Sequence, residues 1–284
     1  MKKVVVLVVS ICLAFVTFAQ RPTAKKAQIA NFENFTLYVV LNQNPTSEYN
    51  DMIREAVRKS WRVSKYDFIT QSEFETKRTE ENSAFLVTNE ISFPKDKNVI
   101  QYDFISIILG GNFASYQVMP EVCTFPLMYT DTDEGDMLYK LPVVIGFFNQ
   151  HVKNILVNPK LLKDKKYKYY TKQKLSIAKK TLYLIAEEQL PEFDNAQKIR
   201  PVFKGKVVMI GQEEMANLIK KRATNVVFLH KVGPADASAQ GSRCYIIMMG
   251  TDNTLYYFNY HILSAKAPNG ISPKYWKIFV SHTK

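Results

Sequence analysis

An internal repeat is the feature of this sequence that most restricts its fold. Matching segments occur in the same order in both halves of the chain: 36–40 with 181–185, 65–74 with 206–215, 84–87 with 225–228, and 104–108 with 245–249. The offset is 141 residues from the second pair onward, where Lys65 matches Lys206 and Gln71 matches Gln212. Such a repeat predicts two similar units in tandem.

The spacing of apolar residues predicts the elements within each unit. Residues 35–41 form a β-rich apolar run typical of a strand, and Met52, Ile53, Ala56 and Val57 have the spacing of an amphipathic helix. In the first unit we expect further strands at 66–70, 84–91, 99–109 and 116–129, a short helix after residue 70, and a helix over 142–156. In the second we expect strands at 181–186, 206–210, 225–231, 243–250 and 254–264, and helices at 193–203, 212–222 and after Ser272.

This order of elements defines a fold class. Strands joined through helices imply parallel pairing, and the later hairpins add antiparallel strands. The predicted fold is α/β (mixed α+β), with two tandem similar domains, each a βαβα unit followed by an antiparallel meander and a closing helix. The predicted divisions are a signal peptide at 1–19, a first unit at 20–157, a basic linker at 158–178 and a second unit at 179–284.

The first residues have the pattern of a cleaved Sec signal peptide. Lys2 and Lys3 precede an apolar stretch from 4 to 18, and Thr17-Phe18-Ala19 provides a small-x-small cleavage context. A membrane anchor is the alternative, but the stretch is shorter than the roughly 20 residues that a span requires. We therefore expect a periplasmic or secreted protein without a transmembrane span after cleavage.

The chain is strongly basic. Its formal net charge is +12 at pH 7, and removal of Lys2 and Lys3 leaves +10. Outside the cytoplasm such a charge favours anionic partners, namely lipid head groups, acidic glycans or acidic proteins, and export makes nucleic acid an improbable one. The alternative is that the charge only maintains solubility.

No catalytic, metal or cofactor motif is found. The four histidines do not form a metal-binding pair, and Ser-x-x-Lys occurs without its companion motifs. Cys123 and Cys244 lie in apolar strands, so buried free thiols are favoured over a disulfide, which export would permit. We therefore predict no catalytic residues, no metal and no cofactor.

Two polar segments have structural interpretations. Thr70 and Glu73 form a capping box at the start of a helix, and Gly211 and Glu214 occupy the equivalent positions. The acidic run 131–136 departs from the pattern of a calcium-binding EF-hand loop. We therefore expect 131–136 to form a solvated hairpin tip, and Asp252-Asn253 likewise to form the turn between the strands at 243–250 and 254–264.

The linker is the strongest candidate for a binding surface. Lysines alternate there with tyrosines, which suits an anionic surface or polymer because ammonium groups contact anions while aromatic rings lie at the interface. The alternative is that the tyrosines pack on the neighbouring domain. The candidate residues are Lys163, Lys165, Lys166, Lys168, Tyr167, Tyr169 and Tyr170.

About 60 residues in the amino-terminal part of the first unit resemble a known envelope pattern. The strand 36–41, a helix that ends in Trp61, and the segment KYDFITQSEFE at 65–75 are similar to the amino-terminal α/β domain of the Tol-Pal propeller protein and to the periplasmic domain of the curli secretion channel. The resemblance implies a binding or assembly domain rather than an enzyme. Neither propeller repeats nor channel-forming hairpins follow in this sequence.

Three functions are compatible with these observations. The first is a non-catalytic periplasmic interaction or assembly module of the cell envelope. The second is a binding protein for an anionic small or polymeric ligand in the groove between the domains. The third is a hydrolase whose residues converge only in three dimensions.

Overall fold

A computed structural model describes residues 21–93, 96, 100–129, 132–234 and 239–282. The predicted signal peptide at 1–19 lies outside these residues. The first half contains β1 (Thr36–Val40), α1 (Glu48–Ser60), β2 (Lys65–Ile69), α2 (Gln71–Lys77), β3 (Ser83–Ser92), β4 (Gln101–Leu109), β5 (Glu121–Tyr129), α3 (Gly135–Leu138) and α4 (Leu141–Val157). The second contains α5 (Lys168–Thr171), β6 (Thr181–Leu184), α6 (Ala196–Ile199), β7 (Lys206–Met209), α7 (Gln212–Lys220), β8 (Val226–Val232), β9 (Arg243–Gly250), β10 (Leu255–Ile262) and α8 (Pro273–Ser281).

The two halves form two mixed sheets with the same topology. The strand orders are β2-β1-β3-β4-β5 and β7-β6-β8-β9-β10. In each sheet the first strand pairs in parallel with the next two, and the last three strands form an antiparallel meander. This confirms the predicted fold class of two similar mixed α/β units, each closed by a helix.

The strand register corrects one detail of the repeat. Leu37 pairs with Ala84 in the first sheet, and Leu182, which matches Leu37 in the repeat, pairs with Val227 in the second. β3 therefore matches β8 at an offset of 143 residues, and not at the 141 that the sequence suggested. The two extra residues lie in α7, which has nine residues where α2 has seven. A shift of two residues keeps each side chain on its face of the sheet, so the core pattern is unchanged.

Two predicted elements are shorter than expected. The helix expected at 193–203 is the single turn of α6, because Asn195 begins it and Pro201 follows its final residues. The strand expected at 116–129 begins only at Glu121, since Tyr116–Val118 form a 3-10 turn and Pro120 lacks an N–H donor. Both changes are caused by residues that interrupt the regular backbone pattern.

The acidic segment before α4 is not a hairpin tip. After β5 the chain turns at Asp133, whose carboxylate accepts a hydrogen bond from the Gly135 N–H at 2.9 Å, and continues into α3 and α4. Asp131 lies outside the described residues. By contrast, Asp252 and Asn253 form the expected turn between β9 and β10, with Asn253 at a positive φ of 68°.

The two sheets share one hydrophobic core. The face of the first sheet that carries α1 and α4 packs in one cluster with the face of the second sheet that carries α7. A small core lies between the first sheet and α2, and another lies between the second sheet and α8. In the described part of the chain, no helix is long and apolar enough to cross a membrane.

The predicted linker is part of this shared core. Leu161, Leu162, Tyr167 and Tyr170 are all buried in it. The Tyr167 hydroxyl donates to the Thr124 carbonyl at 2.6 Å. This contact ties the segment to β5 of the first sheet, and α5 lies against β10 of the second.

Candidate ligand-binding cleft

The first sheet has a topological switch point between β1 and β3. The chain leaves β1 through α1 to reach β2 on one side and reaches β3 on the other side through α2. The two helices lie on opposite faces, since Ile53 of α1 packs with Leu37 and Val39, whereas Phe74 of α2 packs with Val40. In open α/β sheets, ligands bind outside the carboxyl ends of the strands at such a point.

The side chain of Asn50 opens a crevice at this point. It accepts a hydrogen bond from the Asn42 N–H at 2.7 Å and donates to the Asn42 carbonyl at 3.1 Å. These bonds occupy backbone groups that would otherwise be free to extend β1. As a result, pairing of β1 with β3 ends at Val39 and Leu86, while β3 continues to Ser92 with β4 as its partner.

A cleft of about 1150 Å³ lies around this extension of β3 and reaches the second half of the chain. Successive side chains of a strand point to opposite faces. The extension therefore divides the cleft into a first side, with Asn89 and Ile91, and a second side, with Thr88 and Glu90. Aromatic residues line much of its wall: Tyr49, Phe93, Phe104, Tyr116, Tyr245, Phe258 and Tyr260.

A hydrogen-bonded network crosses the first side. Asn89 donates from Nδ2 to the Ser106 hydroxyl at 2.9 Å, and Ser106 is hydrogen-bonded to the Thr124 hydroxyl at 2.7 Å. The Asn89 Oδ1 accepts from the hydroxyl of Tyr116 and from the Arg21 guanidinium. Arg21 also stacks 3.8 Å from the centre of the Tyr116 ring. This network holds a cationic group at the free edge of β3.

Three further cations lie on the first side. Lys165 forms an ion pair of 2.7 Å with Glu121, which is buried. The guanidinium of Arg243 lies 3.5 Å from the centre of the Phe93 ring and 3.1 Å from Asp96. The exposed Lys166 has its ammonium 4.9 Å from the centre of the Tyr260 ring. Arg21 also donates to the Tyr116 carbonyl. Among the described residues neither Lys166 nor Arg21 has a carboxylate partner, so neither positive charge is neutralised by a neighbouring side chain.

The second side is acidic. Glu90 and Asp103 face each other across β3 and β4, and Glu134 lies close enough to influence Asp103. Burial, together with the charges of Glu90 and Glu134, raises the pKa of Asp103 to about 6. The buried Tyr49 lines the same region, and its hydroxyl has no hydrogen-bond partner among the described residues. Glu90 and Glu134 thus add negative charge near Asp103, and none of the three carboxylates forms an ion pair within the described residues.

The predicted linker residues separate into three groups. Lys165 and Lys166 line the cleft. Lys163, Lys168 and Tyr169 are exposed outside it. Tyr167 and Tyr170 are buried, and the Tyr170 hydroxyl is hydrogen-bonded to His151 at 2.8 Å. Only the lysines and Tyr169 therefore present their side chains to a surface partner.

A second cavity, of about 650 Å³, lies between α4 and the β9–β10 turn. Its arginines are already engaged. Arg62 donates to the Arg58 and Lys59 carbonyls, and Arg222 donates to the Lys59 carbonyl at 3.2 Å. These bonds satisfy the carboxyl end of α1, so the cations have a structural role there.

His151, His230, Cys123 and Cys244 are all buried. Burial lowers the pKa of His151 to about 4 and that of His230 to about 3, which keeps both rings neutral. Cys123 and Cys244 are buried and unpaired, as predicted, and burial raises the pKa of both thiols. No group of three or more His, Cys, Asp or Glu residues in the described ranges is arranged to hold a metal ion.

The fold and this cleft define a class of protein: a two-unit mixed α/β protein with an aromatic, charged cleft at a topological switch point. Comparison with protein-family models, curated proteins and solved structures finds no match to this chain.

Proposed function

We propose that this chain is a non-catalytic interaction module of the cell envelope whose cleft binds the anionic group of a ligand or partner. The observation that carries the proposal is the position of Arg21 and Lys166. Both line a large aromatic cleft at the switch point and have no carboxylate partner among the described residues. The signal-peptide pattern and the resemblance to periplasmic α/β domains support the envelope location.

The geometry favours the cleft over the linker surface as the binding site. A ligand in the cleft would contact aromatic rings and cations together, and burial strengthens both kinds of interaction. Lys163 and Lys168 line neither of the two cavities described above, so a ligand there would meet solvent-screened charges without the aromatic wall. We therefore place the anionic-partner function at Lys165 and Lys166, together with Arg21 and Arg243.

The proposal can be tested with phenyl phosphate, a probe that combines a dianion with an aromatic ring. Titration should shift the NMR amide signals of Arg21, Asn89 and Tyr116. The double variant Arg21→Gln/Lys166→Gln should weaken binding by about tenfold, as expected for the loss of two partly screened ion pairs. NMR reports the location, so folding and binding are checked in one experiment.

The matched control is Lys163→Gln/Lys168→Gln, which removes the same charge from the linker surface outside the cleft. This variant should bind phenyl phosphate as the parent does. If the shifts instead appear at Lys163 and Lys168 and only the control weakens binding, the linker surface outside the cleft is the site. If no amide shifts at millimolar probe, the proposed anion site is wrong.

A further inference from the structure

The free edge of β3 indicates how a ligand lies in the cleft. From Thr88, which pairs with Ile105, to Ser92, which pairs with Gln101, the strand is hydrogen-bonded to β4 on one edge. Its pairing with β1 on the other edge has already ended at Leu86. Within the described chain, no backbone hydrogen bond from another strand or loop reaches the second edge of this segment. An edge of this kind presents alternating N–H and C=O groups to which an extended peptide can add as a strand.

The charges on the two sides of this edge have opposite signs. The side chains of an added strand would point alternately to the two sides. Side chains on the first side would approach Arg21, which is hydrogen-bonded to Asn89. Side chains on the second side would approach Glu90 and Asp103. The arrangement therefore fits acidic residues at alternate positions and basic residues between them.

The cation for the second side is better supplied by a peptide than by a metal ion. Burial, with the added negative charges of Glu90 and Glu134, raises the pKa of Asp103, and a neighbouring cation would favour its charged form. Yet the described acidic residues do not form a metal-binding group. A lysine or arginine side chain needs no fixed coordination geometry and can interact with all three.

We propose that the cleft binds an extended peptide segment that adds to β3 at Thr88–Ser92 and alternates acidic residues toward Arg21 with basic residues toward Glu90 and Asp103. This inference rests on the proposed function, since it specifies the ligand class of the same cleft. It identifies the partner as a protein or peptide with a strand of alternating charge. The backbone pairing would provide affinity, and the alternation would provide register and specificity.

Two isomeric peptides test the proposal with the full chain. Both are acetylated, amidated and fluorescently labelled, and both contain three glutamates and three lysines between terminal valines. One alternates Glu and Lys, and the other places the three glutamates before the three lysines. In fluorescence anisotropy the alternating peptide should bind about tenfold more tightly, the ratio expected from two mismatched ion pairs.

Backbone pairing has its own test. N-methylation of alternate amides in the alternating peptide removes the donors on one edge, and two such peptides cover both possible edges. One of the two should lose binding, while the other should retain most of it. In the complex, hydrogen exchange of the amides on the free edge of Thr88–Ser92 should slow.

Variants of the protein test whether the second side of the cleft contacts the basic residues of the peptide. Glu90→Gln/Glu134→Gln should weaken the alternating peptide about tenfold, by the loss of two ion pairs, but should not weaken phenyl phosphate binding, because the loss of negative charge from the cleft does not disfavour an anion. Equal affinity of the two isomers, or no loss with either N-methylated peptide, would overturn the strand model even if phenyl phosphate binds. Absence of both phenyl phosphate and peptide binding would instead remove the cleft function altogether.

Discussion

Asp103 combines burial with two carboxylate neighbours. Its pKa of about 6 in the folded protein is higher than the value of about 3.9 expected in an unfolded chain. Folding therefore favours the protonated form, so Asp103 destabilises the folded protein least below pH 4, where the carboxyl group is protonated in both states. This destabilisation increases as the pH rises through 6.

This linkage gives a prediction for Asp103→Asn, which removes the ionisation. We expect the difference in free energy of unfolding between the variant and the parent to shift in favour of the variant by about 1–2 kcal/mol from pH 4 to pH 8, after a discount for solvent screening. Urea unfolding at the two pH values measures the difference. Glu81→Gln, an exposed residue before β3, is the control and should show no such change. A constant difference for Asp103→Asn would show that its carboxyl group titrates normally.

Helix α2 is held at its start by a reciprocal cap. The Thr70 hydroxyl accepts a hydrogen bond from the Glu73 N–H at 3.2 Å, and a Glu73 carboxylate oxygen accepts one from the Thr70 N–H at 2.7 Å. This confirms the capping box that the sequence predicted. The helix matters for the cleft because Phe74 packs against the Tyr116 ring, which supports Arg21.

Removal of the cap should therefore be measurable at the level of the element. We expect Thr70→Ala to lower the free energy of unfolding by about 1 kcal/mol, the usual cost of losing an N-cap side chain. Urea denaturation measures it. Thr76→Ala, exposed within the same helix, makes the same chemical change away from the cap and should alter stability by only a few tenths of a kcal/mol. Equal losses at the two positions would contradict a capping role.

The shared core joins the two halves into one unit at the scale of the whole molecule. Phe125 of the first sheet stacks on His230 of the second at a centroid distance of 5.7 Å, and the His230 Nε2 lies 2.9 Å from the Pro126 carbonyl oxygen. The buried Lys140 pairs with Glu188 across the halves at 3.2 Å. Separation of the halves would expose this core and leave a buried cation unpaired.

We therefore expect the chain to unfold in a single transition. Trp61 belongs to the shared core and Trp276 to the core under α8, so the variants Trp61→Phe and Trp276→Phe each keep one fluorophore in a different half. In each variant the urea transition by tryptophan fluorescence should coincide with its own far-UV circular dichroism transition. Separated midpoints in either variant would show that the halves unfold independently.

Local patterns in the sequence were sufficient to predict most helices and strands of the fold. The strand–helix–strand order, the capping box at Thr70 and the turn at Asn253 each depend on residues close in the chain, whose spacing and backbone preferences act locally. The predicted bounds were wrong where a residue interrupts the regular backbone pattern, and the predicted repeat offset was wrong where a helix differs in length between the two halves. The two-residue increase of α7 is one example, because low identity does not show where an insertion lies.

The charge and Lys/Tyr pattern of the linker were determined by the sequence alone, as was the repeat that specifies two similar sheets. The cleft was decided by the tertiary structure. Arg21, Asn89 and Arg243 lie far apart in the chain and share no motif, yet the network around Asn89 and the packing on Phe93 bring them to one edge. Tyr167 shows the converse, since its linker position suggested a surface contact whereas its ring is buried. The physical reason is that side-chain spacing reports only local geometry, whereas burial and charge pairing depend on which distant segments the fold brings into contact.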